Sequence, residues 1–288
     1  MIVWLASYPR SGNTLLRTIF KQTMGLGSYS DEPLSPAVRF SATAVEEFGN
    51  LPIDEPWESF YEKASTSAAL HLVKTHLPPR DAQPAIYVVR DGRQSLVSYH
   101  NYHRKFFPEH QRGVMNLMLG DDHYGGWSEH HARWFSGTSR TLLVRYEDLV
   151  TVTPGLLREI AEFIDYVGTV SPWKNPFDKL HRENPAFFRQ GEVRWEPSPE
   201  WTPFVNRVFF HIHGELMRAL HYADNTGLED ASFALDPDLA QFVELARSLL
   251  RQKQDFHQVC KERLAVINLL DTEVRRLSTA RRGTWPRC

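Results

Sequence analysis

Hydrophobic and polar positions fall into blocks along this chain. Ile2-Val3-Trp4-Leu5-Ala6-Ser7-Tyr8 runs into the polar turn Pro9-Arg10-Ser11-Gly12, after which apolar positions recur at helical spacing up to Met24 and Gly25. That pattern predicts strand, tight loop, helix. Strand-like runs recur at 71–76, 86–90 and 141–146, each followed by a polar turn and a helical pattern. Alternating strands and helices predict a parallel sheet covered on both faces, with ligands at the carboxyl ends of the strands. After the last run, Thr153 reads as an N-cap and Pro154 as the first helical residue, with Leu156, Leu157, Ile160 and Ile164 as the buried stripe.

Two stretches break the alternation. Residues 31–70 are Pro-punctuated and weakly periodic, long enough for a lid or pocket wall inside a domain spanning 1–235. From Phe242 onward a heptad places Phe242, Leu249, Phe256, Leu270 and Leu277 at one seam position. Ala246, Cys260, Ile267 and Val274 occupy the other, and Lys253 and Arg263 interrupt it. Residues 236–288 therefore read as a long helical extension. It pairs as a coiled coil in a homodimer or lies back on its own domain.

Composition narrows the function classes. A formal net charge of −2 over 288 residues gives no electrostatic case for nucleic acid or an anionic membrane. Cys260 and Cys288 make neither a disulfide framework nor a metal pattern, which fits a reducing, cytoplasmic setting. The first apolar run stops at Tyr8-Pro9 with no basic segment before it, so it reads as neither a signal peptide nor a membrane span.

The first loop carries chemistry. Backbone N–H groups of Gly12, Asn13 and Thr14 at a helix N-terminus, with the charge of Arg10, make a cradle for a phosphate. It lacks the Lys of a GxxxxGK[ST] loop. Downstream, Lys74 and His76 lie two residues apart and so on one face of an extended chain. Arg90 closes the third strand-like run, and Ser98 lies about two turns into the helix after it. Phe188-Arg189-Gln190-Gly191 combines a cation, an amide and a glycine in a loop suited to a second phosphate. The pairs among His100, His103, His130, His131, His211 and His213 lack carboxylate or thiolate partners at ligand spacing, so they read as surface or pocket residues and no metal is expected.

Taken together and in order, these segments resemble the sulfotransferases that use 3′-phosphoadenosine 5′-phosphosulfate (PAPS), over roughly residues 1–222. Residues 7–14 are similar to that family's 5′-phosphosulfate loop (YPKSGTTW), and 74–78 to its KTHLP segment. Arg90 with Ser98 matches its 3′-phosphate pair, Tyr146-Glu147-Asp148 its YED, and 189–191 its RKG loop. The resemblance implies an α/β fold related to nucleotide kinases, with a central parallel sheet and a P-loop-like phosphate loop. PAPS is implied as co-substrate, and a hydroxyl or amine on a small molecule as acceptor.

It also implies roles. Arg10, Ser11, Gly12, Asn13 and Thr14 would hold the 5′-phosphate, while Arg90, Ser98, Arg189, Gln190 and Gly191 hold the 3′-phosphate and Tyr146 touches adenine. His76 would act as general base, with Arg10 and Lys74 stabilising the departing phosphate. Three positions depart from the pattern: Arg10 replaces Lys, Leu15 replaces Trp, and Arg194 replaces a glycine. Two other classes remain to be weighed: a kinase or NTPase on the same cradle, and a non-catalytic nucleotide-binding module whose C-terminal helix mediates assembly. The carboxylates between Asp31 and Glu62, interleaved with Trp57, Phe60 and Tyr61, read either as a solvated face or as the collar of a positively charged acceptor.

Overall fold

The computed structural model describes residues 1–110, 112–137, 140–185, 187–188, 195–223 and 236–282. The chain divides into two compact units, Met1–Asp236 and Pro237–Cys288.

The first unit begins with β1 (Ile2–Ser7), α1 (Asn13–Met24), β2 (Tyr29–Ser30), α2 (Ala42–Glu47) and α3 (Trp57–Thr66). It continues through β3 (His71–Thr75), β4 (Ala85–Val89), α4 (Gly92–Phe106), α5 (Val114–Met118), α6 (Trp127–Phe135) and β5 (Thr141–Arg145). It ends with α7 (Tyr146–Thr151), α8 (Pro154–Phe163), α9 (Phe177–Glu183) and α10 (Pro203–Ala219). The five strands form one sheet in the order β2-β3-β1-β4-β5, parallel throughout. Every residue of β1 is buried, as a central parallel strand with both faces covered requires.

Strand alternation sorts the core. Val3, Leu5, Ile86 and Val88 face a cluster with Leu16, Ile19 and Phe20 of α1 and Leu157 and Ile160 of α8. Trp4 points to the other face and packs on Trp57 and Tyr61 of α3, while Tyr87 meets His130 and Trp134 of α6. The caps follow the sequence: Gly25 ends α1 in the left-handed region, and Thr153 Oγ1 accepts from the Leu156 N–H at the start of α8.

Two expectations need correction. The run at 71–76 is not followed by a helix; residues 76–84 pass directly into β4, because Pro78, Pro79 and Pro84 remove donors and fix φ. The last strand stops at Arg145, and Tyr146 instead opens the short helix α7.

The second unit contains α11 (Pro237–Arg282), a helix of 46 residues and hence about 69 Å long. Leu249, Phe256, Ile267, Leu270 and Val274, all seam positions of the heptad, are exposed on it. Among the described residues no helix is long and apolar enough to cross a membrane.

Candidate active site

The carboxyl ends of β1, β3, β4 and β5 open on one cavity of about 1300 Å³. All strands run the same way, but the order in which they are added turns here, since β3 lies on one side of β1 and β4 on the other. A doubly wound sheet forms its crevice at such a switch point. Arg10, Gly12, Asn13, Thr14, Lys74, His76, Arg90, Ser98 and Tyr146 all line it. Ser11 does not: it is buried, and its Oγ lies 3.1 Å from Ser95 Oγ, tying the loop to α4 from behind. Arg189, Gln190, Gly191 and Arg194 lie outside the described residues.

The first loop is bent by two residues with positive φ, Arg10 at 64° and Gly12 at 110°. At Gly12 a Cβ would stand 2.6 Å from Tyr146 Cδ2, so only glycine lets the loop pass beneath that ring. Asn13 donates from Nδ2 to the Leu5 carbonyl at 2.7 Å, which anchors the start of α1 to β1. The Arg10 guanidinium lies between two rings, 5.2 Å from the Tyr102 centroid and 4.8 Å from that of Phe187. Arg90 is held on three sides: Nε donates to Gln94 Oε1 at 3.0 Å, Nη1 to the Arg10 carbonyl at 3.4 Å, and its face lies 4.3 Å from the Tyr146 centroid.

Burial defines the proton chemistry. His76 Nδ1 lies 2.8 Å from the Ser7 carbonyl oxygen and 3.3 Å from Ser7 Oγ. A carbonyl only accepts, so Nδ1 carries the proton and Nε2 holds the lone pair. Burial first, then the charge of Lys74, holds the His76 pKa well below its ordinary value. The imidazole is neutral at neutral pH. Its backbone carbonyl accepts from His130 Nε2 at 2.8 Å, and His130 Nδ1 accepts from the Tyr87 hydroxyl at 2.8 Å.

Lys74 donates to Glu32 Oε2 at 3.1 Å. Burial lowers the Lys74 pKa while Glu32 and Asp31 pull it back up. For Glu32, burial is outweighed by His123, Lys74 and Tyr124, which hold the carboxylate well below its usual range. Burial pushes Asp31 up to about 6. His123 bridges Asp122 Oδ1 at 2.9 Å and Glu32 Oε1 at 3.6 Å, and those two carboxylates, Asp122 first, hold its pKa at about 9.

The sequence left part of this arrangement unread. Glu32 was one acidic residue among several, and nothing local marked it as the partner of Lys74. Tyr102 and Phe187 carry no motif, and their stacking on Arg10 joins parts of the chain far apart. Two of the histidines read as surface or pocket residues are core: His130 and His213 are fully buried, the latter 2.7 Å from Ser128 Oγ and 3.2 Å from the Met118 carbonyl. Buried imidazoles are tolerated where both nitrogens find partners. The aromatics Trp57, Phe60 and Tyr61 do not line the cavity either. They pack on Trp4, Tyr29 and His71, while Glu47 pairs with Lys179 and Glu58 with Arg80. From that acidic stretch only Asp31 and Glu32 bring carboxylates to the cavity wall.

Comparison with known proteins agrees with this geometry. Residues 2–185 match the family model described as the sulfotransferase domain, and the chain belongs to that family. It is similar to sulfotransferase 4A1 of Homo sapiens, 27% identical over 180 residues, which covers 56% of this chain and 59% of that protein. It thus spans about three fifths of the length of that relative. Sulfotransferase 1A1 of Mus musculus is 25% identical over 231 residues, 75% of each chain. Among solved structures, mouse sulfotransferase SULT7A1 complexed with PAP shares the fold, with a TM-score of 0.50 at 20% identity over 85% of this chain and 88% of that one.

Proposed function

We propose that this chain transfers a sulfuryl group from PAPS to a hydroxyl or amine of a small-molecule acceptor. One observation carries the reading: a neutral, half-buried imidazole with its Nε2 lone pair available shares a single cavity with Arg10, Lys74, Arg90 and the N-terminus of α1. The residues fit the co-substrate. Gly12 keeps the loop open beneath Tyr146, and the first N–H groups of α1, which have no partner within the helix, are donors for the 5′-phosphate. Arg90 and Ser98 would take the 3′-phosphate, joined by Arg189, Gln190 and Gly191 as the family pattern implies, with Tyr146 beside adenine.

When bound, PAPS supplies a sulfuryl group joined to the 5′-phosphate through the bridging S–O bond that breaks. His76 Nε2 takes the acceptor's proton as the acceptor's oxygen or nitrogen attacks sulfur. Arg10 and Lys74 answer the negative charge that grows on the departing phosphate, an effect strongest in a site withdrawn from water. The acceptor side is walled by Tyr99, Tyr102, Phe107, His123 and Tyr124. With Glu32 already paired to Lys74, Asp31 is the carboxylate better placed to meet a positively charged acceptor.

The test is incubation of the protein with PAPS and a panel of hydroxylated and amine metabolites, read by mass spectrometry. A PAPS-dependent gain of one SO₃ on an acceptor is expected. Equal affinity for ATP and for 3′-phosphoadenosine 5′-phosphate, with no such transfer, would overturn the reading in favour of a kinase or NTPase. The exposed heptad seam of α11 supports self-association of the full chain as part of the same proposal, read by sedimentation.

A further inference from the structure

Gln94 stands on the face of α4 that lines the cavity, one turn before Ser98 and four residues after Arg90. At this third helical position a glutamine often turns back to the N-cap N–H. Here it faces the other way. The N-cap Asp91 is engaged by the Arg93 N–H at 2.9 Å and by the Arg93 guanidinium at 2.7 Å, and Gln94 Oε1 accepts from Arg90 Nε at 3.0 Å. A guanidinium N–H can only donate, so the amide atom beside Arg90 is the oxygen. Nε2 is therefore the other atom. It is buried without a hydrogen-bond partner, in a residue only 6% exposed.

A buried amide donor left unmatched is costly, and natural structures seldom keep one without a use. The surroundings indicate what would match it. Arg90 brings a positive charge, Ser98 a hydroxyl, and Gln94 two further N–H donors at the same corner of the cavity. We propose that Gln94 is a further ligand of the phosphate at the Arg90–Ser98 corner, where its Nε2 donates to a phosphate oxygen while its Oε1 keeps the Arg90 guanidinium aimed. Gln94 then helps select nucleotides that carry a 3′-phosphate. A carboxylate at this position would hold Arg90 equally well, but it would set a negative charge beside the anion and neutralise the cation meant for it. The neutral amide orients the charge without cancelling it. This inference rests on the PAPS reading of the same cavity.

The experiment is calorimetric titration of the full chain with 3′-phosphoadenosine 5′-phosphate and with adenosine 5′-phosphate, for wild type, Gln94→Glu and Gln94→Met. The wild type should prefer the 3′-phosphorylated nucleotide. Gln94→Met should lose about 10-fold in affinity for it, and Gln94→Glu about 100-fold, because the second change adds repulsion to the lost donor. Binding of adenosine 5′-phosphate should stay within about 2-fold in both, which also reports that the site has folded. If the wild type discriminates and both variants discriminate equally well, the Gln94 assignment fails while the PAPS reading stands. Equal losses for both nucleotides would also overturn it, since Gln94 would then support the loop rather than a 3′-phosphate. A wild type that binds both nucleotides alike would overturn the PAPS reading and this inference with it.

Discussion

His76 Nδ1 lies 2.8 Å from the carbonyl oxygen of Ser7, the last residue of β1. This contact ties the imidazole to the strand that leads into the 9–12 loop and fixes its tautomer with Nε2 as acceptor. The proposed base, one residue past β3, and the proposed phosphate cradle that follows β1 are thereby tied together across two paired strands, and His76→Ala should separate their contributions. Turnover should fall by about two to four orders of magnitude while affinity for 3′-phosphoadenosine 5′-phosphate stays near wild type. Single-turnover kinetics with a parallel titration reads both, and an unchanged rate would move the base elsewhere, with His103, which lines the same cavity, as a candidate.

The Lys74–Glu32 pair gives a pH prediction. Burial lowers the Lys74 pKa, and Glu32 is the strongest influence raising it again. Glu32→Gln removes that charge, so Lys74 should lose its proton at lower pH. The alkaline limb of the turnover profile should move to lower pH, with little change on the acid side. An unmoved alkaline limb would show that the Lys74 charge does not limit turnover.

Stability should depend on pH through histidines acting in opposite directions: burial lowers the pKa of His76, His130 and His131, while two carboxylates raise that of His123. Burial holds His130 at about 4, below its ordinary value near 6.5. As pH falls below 6.5 the unfolded chain takes up a proton that the folded one refuses, so stability present above 6.5 is lost toward pH 4, by about 1.4 kcal/mol per unit. His123 is held up at about 9 by Asp122 and Glu32, so its contribution is fully present below 6.5 and is lost as pH rises through about 9. Urea unfolding across pH should show both flanks. His130→Gln, which can still donate to the His76 carbonyl and accept from Tyr87, should make the acid flank shallower without abolishing it, since His76 and His131 still contribute, and should leave the alkaline flank unchanged.

Much of this site was legible because its chemistry is local. The apolar run 2–6, the turn at 9–12 and the strand end at Lys74–His76 each carry their geometry in a few consecutive residues, and the parallel sheet gathers them at one edge. What stayed hidden depends on contacts between distant segments. Glu32 meets Lys74 only because β2 pairs with β3, and Phe187 reaches Arg10 only across the cavity. The misplaced helix after β3 had a readable warning in Pro78 and Pro79. The aromatics of α3 had none, because the same spacing serves a pocket wall or a core face, and Trp4 decided it.

Gly12 tests the loop itself. Its φ of 110° is one that L side chains rarely adopt, and a methyl group would meet the Tyr146 ring. Gly12→Ala should destabilise the fold by about 1–3 kcal/mol and displace Tyr146 from the side of the cavity proposed for adenine. Thermal unfolding and nucleotide titration measure the two effects. A variant with wild-type stability and affinity would mean the loop relaxes freely and is not a preformed cradle.

Arg10 separates charge from shape. Its guanidinium is stacked between Tyr102 and Phe187, and Nη2 donates to the Phe187 carbonyl at 3.4 Å, so its position is set by a planar group between two rings. The charge it is proposed to answer develops mainly as the S–O bond breaks. Arg10→Ala should therefore lower turnover by about 100-fold or more while weakening nucleotide affinity less. Arg10→Lys restores the charge but not the stacked plane, and an ammonium on a flexible stem is held less firmly between the rings. Turnover should recover in part, to an intermediate value that rises no further at saturating PAPS. If Arg10→Ala weakens binding and leaves saturated turnover unchanged, Arg10 only clamps the ground state, and the charge that stabilises the departing phosphate belongs to Lys74.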